Sequence, residues 1–520
     1  MPASAAREIA SVCIVGGGSA GWLTAGLIAA RHGPDLKVTL VESVSRGTIG
    51  VGEGTWPTMR NTLRKIGIAE TDFMRFCHAS FKQGAKFARW RTGAPDDFYY
   101  HPLVLPEGFP DLDLAPYWNA EAQAASAGGR NGLPSFSDAV CFQEFLCERD
   151  LAPKLMSSPD YAGIANYAYH LDAVKLGELL SAHCTGKLGV HHIDDEIDGV
   201  TRADNGDIAA VIGRRSGAIA ADLFIDCTGF ASRLLGEALD VPFVDRSDVL
   251  FIDRALAVQL PVEADSPIAS QTISTAQKHG WIWDIGLPTR RGIGYVWSSR
   301  HAGADRVEEE LAAYVGPDFD KLSPREITIR SGHRETFWKN NVVAVGLAAG
   351  FLEPLEASAL VLIELSADYI ATSMPATRAS MDFVARRFNT MTRYRWDRII
   401  EFLKLHYVLS ERDDTAFWRD NRDPATIPQE LQDQLELWRD TPPGEHDFSS
   451  AHEMFPAASY QYVLYGMGFR TRVGAGQLAK ADMAEDAFAQ NAATKRRLAG
   501  MMPTNRALLD KLAQHRFPPL

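Results

Sequence analysis

A glycine-rich turn near the amino terminus constrains the fold of this chain more than any other feature. The apolar run Ser11–Val15 predicts a short strand, and the sequence Gly16-Gly17-Gly18-Ser19-Ala20-Gly21 follows it directly. A helix is predicted over residues 22–30 and a second strand over residues 37–41, after which comes Glu42. A strand, a glycine turn, a helix and a strand in this order indicate the βαβ unit of a Rossmann-like α/β fold.

The same turn is suited to binding a dinucleotide. Glycines let the backbone and the helix N-terminus approach a pyrophosphate without Cβ clashes, and the helix dipole favours the negative charge. A carboxylate at the end of the second strand can bond ribose hydroxyls. A tight turn that binds nothing, with a solvated acid, stays open as the alternative. The predicted contacts are Gly16, Gly18, Ser19, Ala20, Gly21 and Glu42.

Two later segments favour FAD as the dinucleotide. Residues 222–229, with Asp226, resemble the strand and turn that close over the cofactor in flavoprotein hydroxylases. Residues 343–350 resemble their second flavin-contacting segment, with Gly346 as a contact and Leu347 in place of the usual acid. No second G-x-G-x-x-G follows a strand, so no lobe for NAD(P)H is predicted. Reduced flavin is therefore expected from a separate reductase.

Length and composition set the broad class. The chain has 520 residues, too many for one compact core. Its net charge of -13 argues against nucleic acid as a partner. The six cysteines form no C-x-x-C pair and no His cluster accompanies them, which predicts no metal site, no disulfide framework and a cytoplasmic location. No apolar stretch reaches the roughly 18 residues that a membrane span needs.

The pattern along the chain predicts two regions. An FAD-binding, flavoprotein monooxygenase-like domain is expected over residues 1–380, with an irregular insertion at about 92–153. Helices are predicted at 58–66, 70–80 and 173–184, and strands at 208–212, 223–225, 255–260, 294–298 and 341–345. Residues 381–520 are predicted to form a mainly helical substrate-binding lobe.

Four further motifs carry a resemblance to a known family. They are Gly50-Val51-Gly52-Glu53, Ser80-Phe81-Lys82, Trp281-Ile282-Trp283-Asp284-Ile285 and Phe351-Leu352-Glu353-Pro354-Leu355-Glu356. Together with the glycine turn, and in collinear order over most of the chain, they resemble the flavin-dependent tryptophan halogenases. The W-x-W-x-I element combined with a G-x-G-x-x-G start is fairly specific for that family.

The resemblance implies a reaction. In the family, reduced FAD and O2 give a flavin hydroperoxide, a halide attacks it, and hypohalous acid travels through an internal tunnel to the substrate. The counterparts of Trp281 and Trp283 plug the space near the flavin, so that the substrate is not hydroxylated there. Gly50, Gly52 and Glu53 are expected to contact the cofactor.

Two residues match the family's catalytic pair. Lys82 matches the lysine whose ammonium hydrogen-bonds hypohalous acid, or whose amine becomes a haloamine. Glu356 matches the glutamate that stabilises and deprotonates the arenium cation, although a carboxylate at a helix N-terminus also has a structural explanation. Lys86 lies four residues after Lys82, where it could share a helix face; a solvated surface charge is favoured for it.

The halide and substrate sites are also implied by the resemblance. Halide is expected on the backbone amides of Ser358 and Ala359, where the family usually has Thr and Gly. The aromatic pocket is expected to include His101, Pro102, Leu103 and Phe455. For His101 a packed loop histidine is an equally open interpretation.

The match fails at the substrate clamp. Tryptophan-specific members hold the amino acid's charges with a Tyr pair and a Glu, which residues 447–456 do not offer in a recognisable form. Because a buried ammonium and carboxylate need such partners, indole or another aromatic scaffold is expected in place of free tryptophan, with bromide favoured over chloride. Glu453 or Tyr460 as a different clamp stays open.

Other functions also remain open at this point. They are a tryptophan halogenase proper, a single-component FAD-dependent aromatic hydroxylase, and a non-catalytic flavin-binding module. The expected partners are a small aromatic substrate and a flavin reductase, and a homodimer is left open.

Overall fold

The computed structural model describes residues 8–43, 53–127, 132–450 and 453–520. Two predicted cofactor contacts, Gly50 and Gly52, lie outside the described residues and stay predictions. The helices are α1 Ser19–His32, α2 Thr58–Ile66, α3 Glu70–Phe76, α4 Ala115–Ala127, α5 Phe136–Val140, α6 Gln143–Cys147, α7 Ala173–Lys187, α8 Ala304–Val315, α9 Ser358–Thr372, α10 Arg378–Val408, α11 Ala416–Asp420, α12 Gln429–Leu437, α13 Ala457–Gly466, α14 Ala481–Ala499 and α15 Asn505–Gln514.

The strands complete the set of elements. They are β1 Ser11–Val15, β2 Lys37–Glu42, β3 Glu53–Gly54, β4 Ser80–Lys82, β5 Gly84–Ala88, β6 Phe98–Pro102, β7 Ala168–Leu171, β8 His191–Asp194, β9 Ile197–Arg202, β10 Ile208–Gly213, β11 Gly217–Ala220, β12 Leu223–Asp226, β13 Phe243–Asp245, β14 Arg254–Pro261, β15 Thr272–Ala276, β16 Gly280–Gly286, β17 Arg290–Trp297, β18 Arg325–Thr328, β19 Gly332–Arg334, β20 Trp338–Lys339, β21 Val342–Ala344 and β22 Gly350–Phe351.

The chain divides into two compact units, and each is built from three stretches of sequence. The first unit takes its described residues from Met1–Ala79, Leu171–Ser247 and Arg330–Trp396. The second takes them from Ser80–His170, Asp248–Ile329 and Asp397–Leu520. The predicted boundary near residue 380, between an FAD-binding domain and a substrate-binding lobe, stays a prediction, and it rests on local patterns alone. A local strand pattern does not show which sheet a strand joins.

A six-stranded sheet forms the centre of the first unit. Its order is β20-β21-β12-β1-β2-β8, and all its strands are parallel except the edge strand β20. The inner strands are apolar and buried because a parallel sheet is covered on both faces. α1 packs against α9 and α7. The predicted Rossmann-like α/β core is confirmed.

The second unit contains a seven-stranded sheet of order β18-β14-β17-β16-β15-β5-β6. It is antiparallel apart from the parallel pair β15 and β5. α8 covers one face, where Val307 and Leu311 pack against Ile282, Ile293 and Tyr295. Most of the remaining helices of this unit lie in its carboxyl-terminal stretch, Asp397–Leu520.

The region predicted as irregular, residues 92–153, contains helices α4, α5 and α6. α4 is rich in alanine and has only a weak apolar stripe, which hid it in the sequence. All six cysteines are free thiols. Within the described ranges, every helix is too short or too polar to cross a membrane.

Candidate active site

The glycine turn of the first unit has the geometry that a bound pyrophosphate requires. Gly16 has a φ of +111°, and a Cβ there would lie 2.1 Å from the carbonyl oxygen of Cys227. A Cβ at Gly21 would lie 1.9 Å from the carbonyl oxygen of Gly16, so both positions require glycine. Gly18, in contrast, faces open space and precedes α1, whose N-terminus has no side-chain cap. Exposed amides and open space at one helix N-terminus fit a phosphate group.

The other predicted cofactor segments follow the carboxyl ends of neighbouring parallel strands. Strand β1 lies between β2 and β12, and β21 lies beyond β12. A Cβ at Gly346 would lie 2.7 Å from the Cβ of Ala20, so the segment after β21 touches the first turn of α1. Leu347 follows and is half-buried, as Ser19 and Ala20 are. In open α/β sheets, ligands bind at the carboxyl ends of the strands, where these segments meet.

Glu42 lies over the glycine turn. A Cβ at Gly17 would lie 1.8 Å from a carboxylate oxygen of Glu42. The same carboxylate lies 3.1 Å from Nε2 of His192 on β8. Burial raises the pKa of Glu42, while His192 and the Trp22 indole act in the opposite direction. Glu42 therefore lies beside the glycine turn, with a histidine partner that the sequence did not suggest, and its contact with a ribose stays a prediction.

Asp226 at the end of β12 is fully buried and organises the backbone that follows it. One oxygen accepts from the amide and hydroxyl of Thr228, at 3.1 and 2.6 Å. The other accepts from the amides of Leu234 and Leu235, at 2.9 and 2.8 Å. The structure therefore gives Asp226 a local role in shaping the turn, and its contact with a cofactor stays a prediction.

Glu356 lies two residues before the first residue of α9. Its carbonyl accepts a hydrogen bond of 2.7 Å from the Trp56 indole, and its side chain is buried. Ala357 adopts the left-handed conformation with φ of 53°, and no side chain caps the first amides of α9. The amides of Ser358 and Ala359 therefore begin α9, where the dipole favours an anion.

Glu53 is another predicted cofactor contact of the first unit. Removal from water raises the pKa of its carboxyl to about 7.

Lys82 belongs to the second unit, on strand β4, and is only 5% exposed. β4 pairs antiparallel with β7, which sets Ser80 opposite His170 and Lys82 opposite Ala168. The hydroxyl of Ser80 donates to the carbonyl of Gly286 at 2.5 Å, which fixes this strand. A buried lysine is expensive unless its surroundings compensate it, so its position requires an explanation.

Lys86 differs from Lys82 in its surroundings. It lies on β5, so the suggested shared helix face is wrong: both lysines are in strands. Its Nζ lies 2.6 Å from a carboxylate oxygen of Glu148, and 4.2 Å above the ring of Phe98. These contacts explain Lys86 as a surface ion pair, as favoured from the sequence.

An aromatic cluster in the second unit contains two of the predicted pocket residues. His101 is buried and its Nε2 lies 2.9 Å from the Ser459 hydroxyl. Its ring is 5.6 Å from that of Phe402 and 6.3 Å from that of Phe455. Phe402 and Phe455 stack with centroids 3.7 Å apart, and Tyr460 meets Phe402 edge-on. We call His101, Phe402, Phe455 and Tyr460 the aromatic cluster.

The remaining predicted pocket residues flank this cluster along the chain. Pro102 is buried at the end of β6, and Leu103 is half-buried. The amide of Leu103 donates to the side chain of Gln143 at 2.7 Å. Phe402 was missed by sequence reasoning because it lies on the long helix α10, where its spacing resembles that of any core residue.

The Trp281 and Trp283 side chains are buried on one face of β16. Trp281 packs near Trp90, with ring centroids 6.3 Å apart. The ring of Trp283 covers Gly294 on β17, where a Cβ would lie 2.0 Å from it. The pair is thus rigidly held within the second unit, and its role beside a flavin stays a prediction.

Comparison with known proteins agrees with these observations. The family model described as tryptophan halogenase matches residues 11–482. The chain is 34% identical over 476 residues to tryptophan 6-halogenase SttH of Streptomyces toxytricini, covering 89% of this chain and 90% of the relative.

Solved structures give the same result. A tryptophan halogenase from Shewanella frigidimarina NCIMB 400 superposes with a TM-score of 0.94 at 48% identity, covering 99% of each chain. Tar14, a tryptophan C-6 flavin-dependent halogenase from taromycin biosynthesis, superposes with a TM-score of 0.90 at 32% identity, covering 97% of this chain and 99% of that one.

Proposed function

Since the chain belongs to the tryptophan halogenase family, we propose that it halogenates an electron-rich aromatic ring, with reduced FAD, O2 and a halide as co-reactants. The observation that carries the proposal is the burial of Lys82 at 5% exposure. A flavin-dependent hydroxylase needs no buried lysine of this kind, whereas electrophilic halogen has to be delivered from one fixed point.

The first unit supplies the cofactor site. Bound FAD, once reduced, supplies with O2 the oxidising power that converts halide into hypohalous acid. The turn at Gly18 and the N-terminus of α1 hold the pyrophosphate, and Glu42 binds the ribose. The amides of Ser358 and Ala359 hold the halide through the unfilled N-terminus of α9. The open space at Gly18 and the uncapped N-termini of α1 and α9 support these assignments.

Lys82 and Glu356 carry the roles next to the substrate. The ammonium of Lys82 hydrogen-bonds the oxygen of hypohalous acid and polarises the oxygen–halogen bond. The ring's electron pair takes the halogen as the oxygen–halogen bond breaks, and the oxygen leaves as water with a proton from the Lys82 ammonium, which solvent water later restores. The carboxylate of Glu356 stabilises the arenium cation and accepts the proton that restores aromaticity.

A lysine comparison tests the proposal. Lys82→Ala should lower halogenated product by at least about a hundredfold, in line with the loss of a general catalytic group, while FAD binding is unchanged. Lys86→Ala is the matched control, because it removes a lysine of the same region that is bound to Glu148 at the surface. Normal turnover by Lys82→Ala, or equal losses in both variants, would contradict the assignment.

For the substrate, we propose an uncharged indole-type ring. Two acidic side chains of the stretch 447–456, Asp447 and Glu453, accept hydrogen bonds from nearby groups of the same part of the chain. Asp447 accepts from the Trp438 indole and the Gly444 amide, both at 2.9 Å, and Glu453 accepts from the amide of Ser450 at 3.3 Å. A zwitterionic amino acid would have to displace these bonds or lose its hydration without replacement.

Free tryptophan is the second candidate, favoured by the names of the relatives. Competition between indole and tryptophan at equal concentration, with bromide and chloride in parallel, separates the two. We expect brominated indole as the main product, because bromide is the easier ion to oxidise and desolvate. Preferential chlorination of tryptophan would overturn both parts.

The source of reduced flavin is part of the proposal. The glycine turn is the chain's single G-x-G-x-x-G after a strand, so we propose that a separate reductase supplies reduced FAD. Rapid oxidation of NADH by the purified chain alone would contradict this and would favour a single-component hydroxylase.

A further inference from the structure

A fully buried histidine shares a face with Lys82. In the β4–β7 ladder, Ser80 lies opposite His170 and Lys82 opposite Ala168. Side chains two residues apart on a strand point to the same face, so Lys82 and His170 are diagonal neighbours across the ladder. Diagonal positions lie about 7–8 Å apart at the backbone, which is within reach of a long side chain.

The imidazole of His170 is held at one nitrogen only. Its Nε2 lies 2.8 Å from the hydroxyl of Thr272 on β15. Its Nδ1 is buried and has no hydrogen-bond partner in the part of the chain that the structure describes. Burial, and then the positive charge of Lys82, lower the pKa of His170 well below its ordinary value. The ring is therefore neutral, and one nitrogen carries a lone pair.

This arrangement is costly if it serves packing alone. A buried nitrogen without a partner loses its hydration without replacement, and an apolar side chain would fill the same volume without that cost. The neighbouring Ser80 does use its hydroxyl within the protein, on Gly286. Buried polar groups that lack a partner call for a functional explanation.

We propose that His170 is a positioning residue for Lys82, an inference that rests on the proposed function. Thr272 accepts the hydrogen of Nε2, which leaves the lone pair on Nδ1 and aims it at the face that Lys82 occupies. During halogen delivery the Lys82 side chain turns towards Nδ1, which accepts one N–H of the ammonium and fixes its direction towards hypohalous acid. Because the imidazole stays neutral, it does not repel the ammonium.

The first test measures where the oxidised halogen goes. With reductase, FAD, bromide and indole, we compare brominated indole with free hypobromous acid, which a diketone trap captures. His170→Phe should lower the brominated product by about tenfold or more and raise the trapped acid, with FAD binding unchanged. His170→Asn should restore part of the product, because its amide oxygen can accept a hydrogen bond. Thr272→Val should fall between wild type and His170→Phe.

A matched control distinguishes positioning from packing. Tyr169 is the next residue on β7 and points to the other face, towards Phe81. Tyr169→Phe should leave the partition unchanged. If His170→Phe lowers product and trapped acid together, or halogenates like the wild type, the proposal is overturned. If that variant does not fold, an unchanged partition in both His170→Asn and Thr272→Val overturns it.

A second readout does not depend on turnover. Reductive methylation with 13C-formaldehyde labels the lysines, and the Lys82 signal is the one that Lys82→Arg removes. We expect this signal to be displaced from the exposed-lysine position in the wild type and to move towards it in His170→Phe. An identical signal in both proteins would refute the inference. If the wild type halogenates no ring but the Lys82 signal still moves in His170→Phe, the proposed function fails while the contact between His170 and Lys82 is supported.

Discussion

Replacing Glu364 by glutamine should make the protein more stable at alkaline pH. Glu364 lies on α9, two turns after the Ser358 end, and is 2% exposed. Its carboxyl accepts hydrogen bonds from Thr58 at 3.1 Å and Thr62 at 2.5 Å, both on α2. Burial raises its pKa from 4.5 to about 8, and the two threonine bonds offset only part of that effect. At neutral pH the group is therefore a protonated acid.

The sign and the size follow from linkage. The stability that protonated Glu364 contributes is fully present below its unfolded pKa of 4.5 and is lost as the pH rises towards about 8. At about 1.4 kcal/mol per pH unit, the loss across this interval approaches 5 kcal/mol. Glutamine has the same shape and does not ionise, so its contribution does not change with pH.

Urea unfolding near pH 5 and near pH 9 measures the effect. The glutamine variant should match the wild type within about 1 kcal/mol at the lower pH and exceed it by several kcal/mol at the higher pH. Asp368→Asn is the control, because Asp368 lies one turn further along α9 and is an exposed partner of Lys65. If the wild type and the Glu364→Gln variant lose the same stability from pH 5 to pH 9, Glu364 is not a buried acid with a raised pKa.

Four further substitutions test the packing of the sites. The Gly18→Ala variant should fold normally but bind FAD about tenfold more weakly, since the new Cβ enters the open space of the turn. The Gly16→Ala variant should have a lower Tm and weaker FAD binding, because the new Cβ would lie 2.1 Å from a backbone oxygen. Equal FAD affinity in the Gly18 variant, by fluorescence titration, would contradict this. Gly294→Ala should cost about 1–3 kcal/mol by displacing the Trp283 ring, and an unchanged Tm would show that the ring adjusts freely. Phe402→Ala should raise the KM for indole and destabilise by about 3–5 kcal/mol, and an unchanged KM would remove Phe402 from the substrate site.

Much of the first unit could be predicted because its signals are local. The strand Ser11–Val15 and the helix Thr58–Ile66 have the predicted limits, since each has an apolar pattern bounded by turn residues or a terminal glycine. The roles of Gly16 and Gly21 follow from sterics that a strand–turn–helix sequence already implies. Lys82 and Glu356 are predicted from motifs, which do not depend on knowledge of the packing, and their catalytic roles stay predictions.

The features that could not be predicted depend on contacts between segments that are far apart in the sequence. His170 becomes interesting only once the β4–β7 register sets it diagonal to Lys82. Phe402 and Phe455 stack although more than fifty positions separate them, and no spacing rule links them. Likewise, the partner of Glu42 is a histidine from β8, which joins the sheet beside β2 after a long excursion of the chain. The sequence shows these residues, but it does not show which residues pack beside them.

The central claim is that this chain attaches halogen to an aromatic ring at the expense of reduced FAD. Mass spectrometry of indole incubated with the protein, FAD, a flavin reductase, NADH and bromide tests it most directly. We expect a product with the paired isotope peaks of bromine, absent without bromide or reductase and lost in Lys82→Ala. An oxygenated product without bromine, formed from NADH by the chain alone, would contradict it.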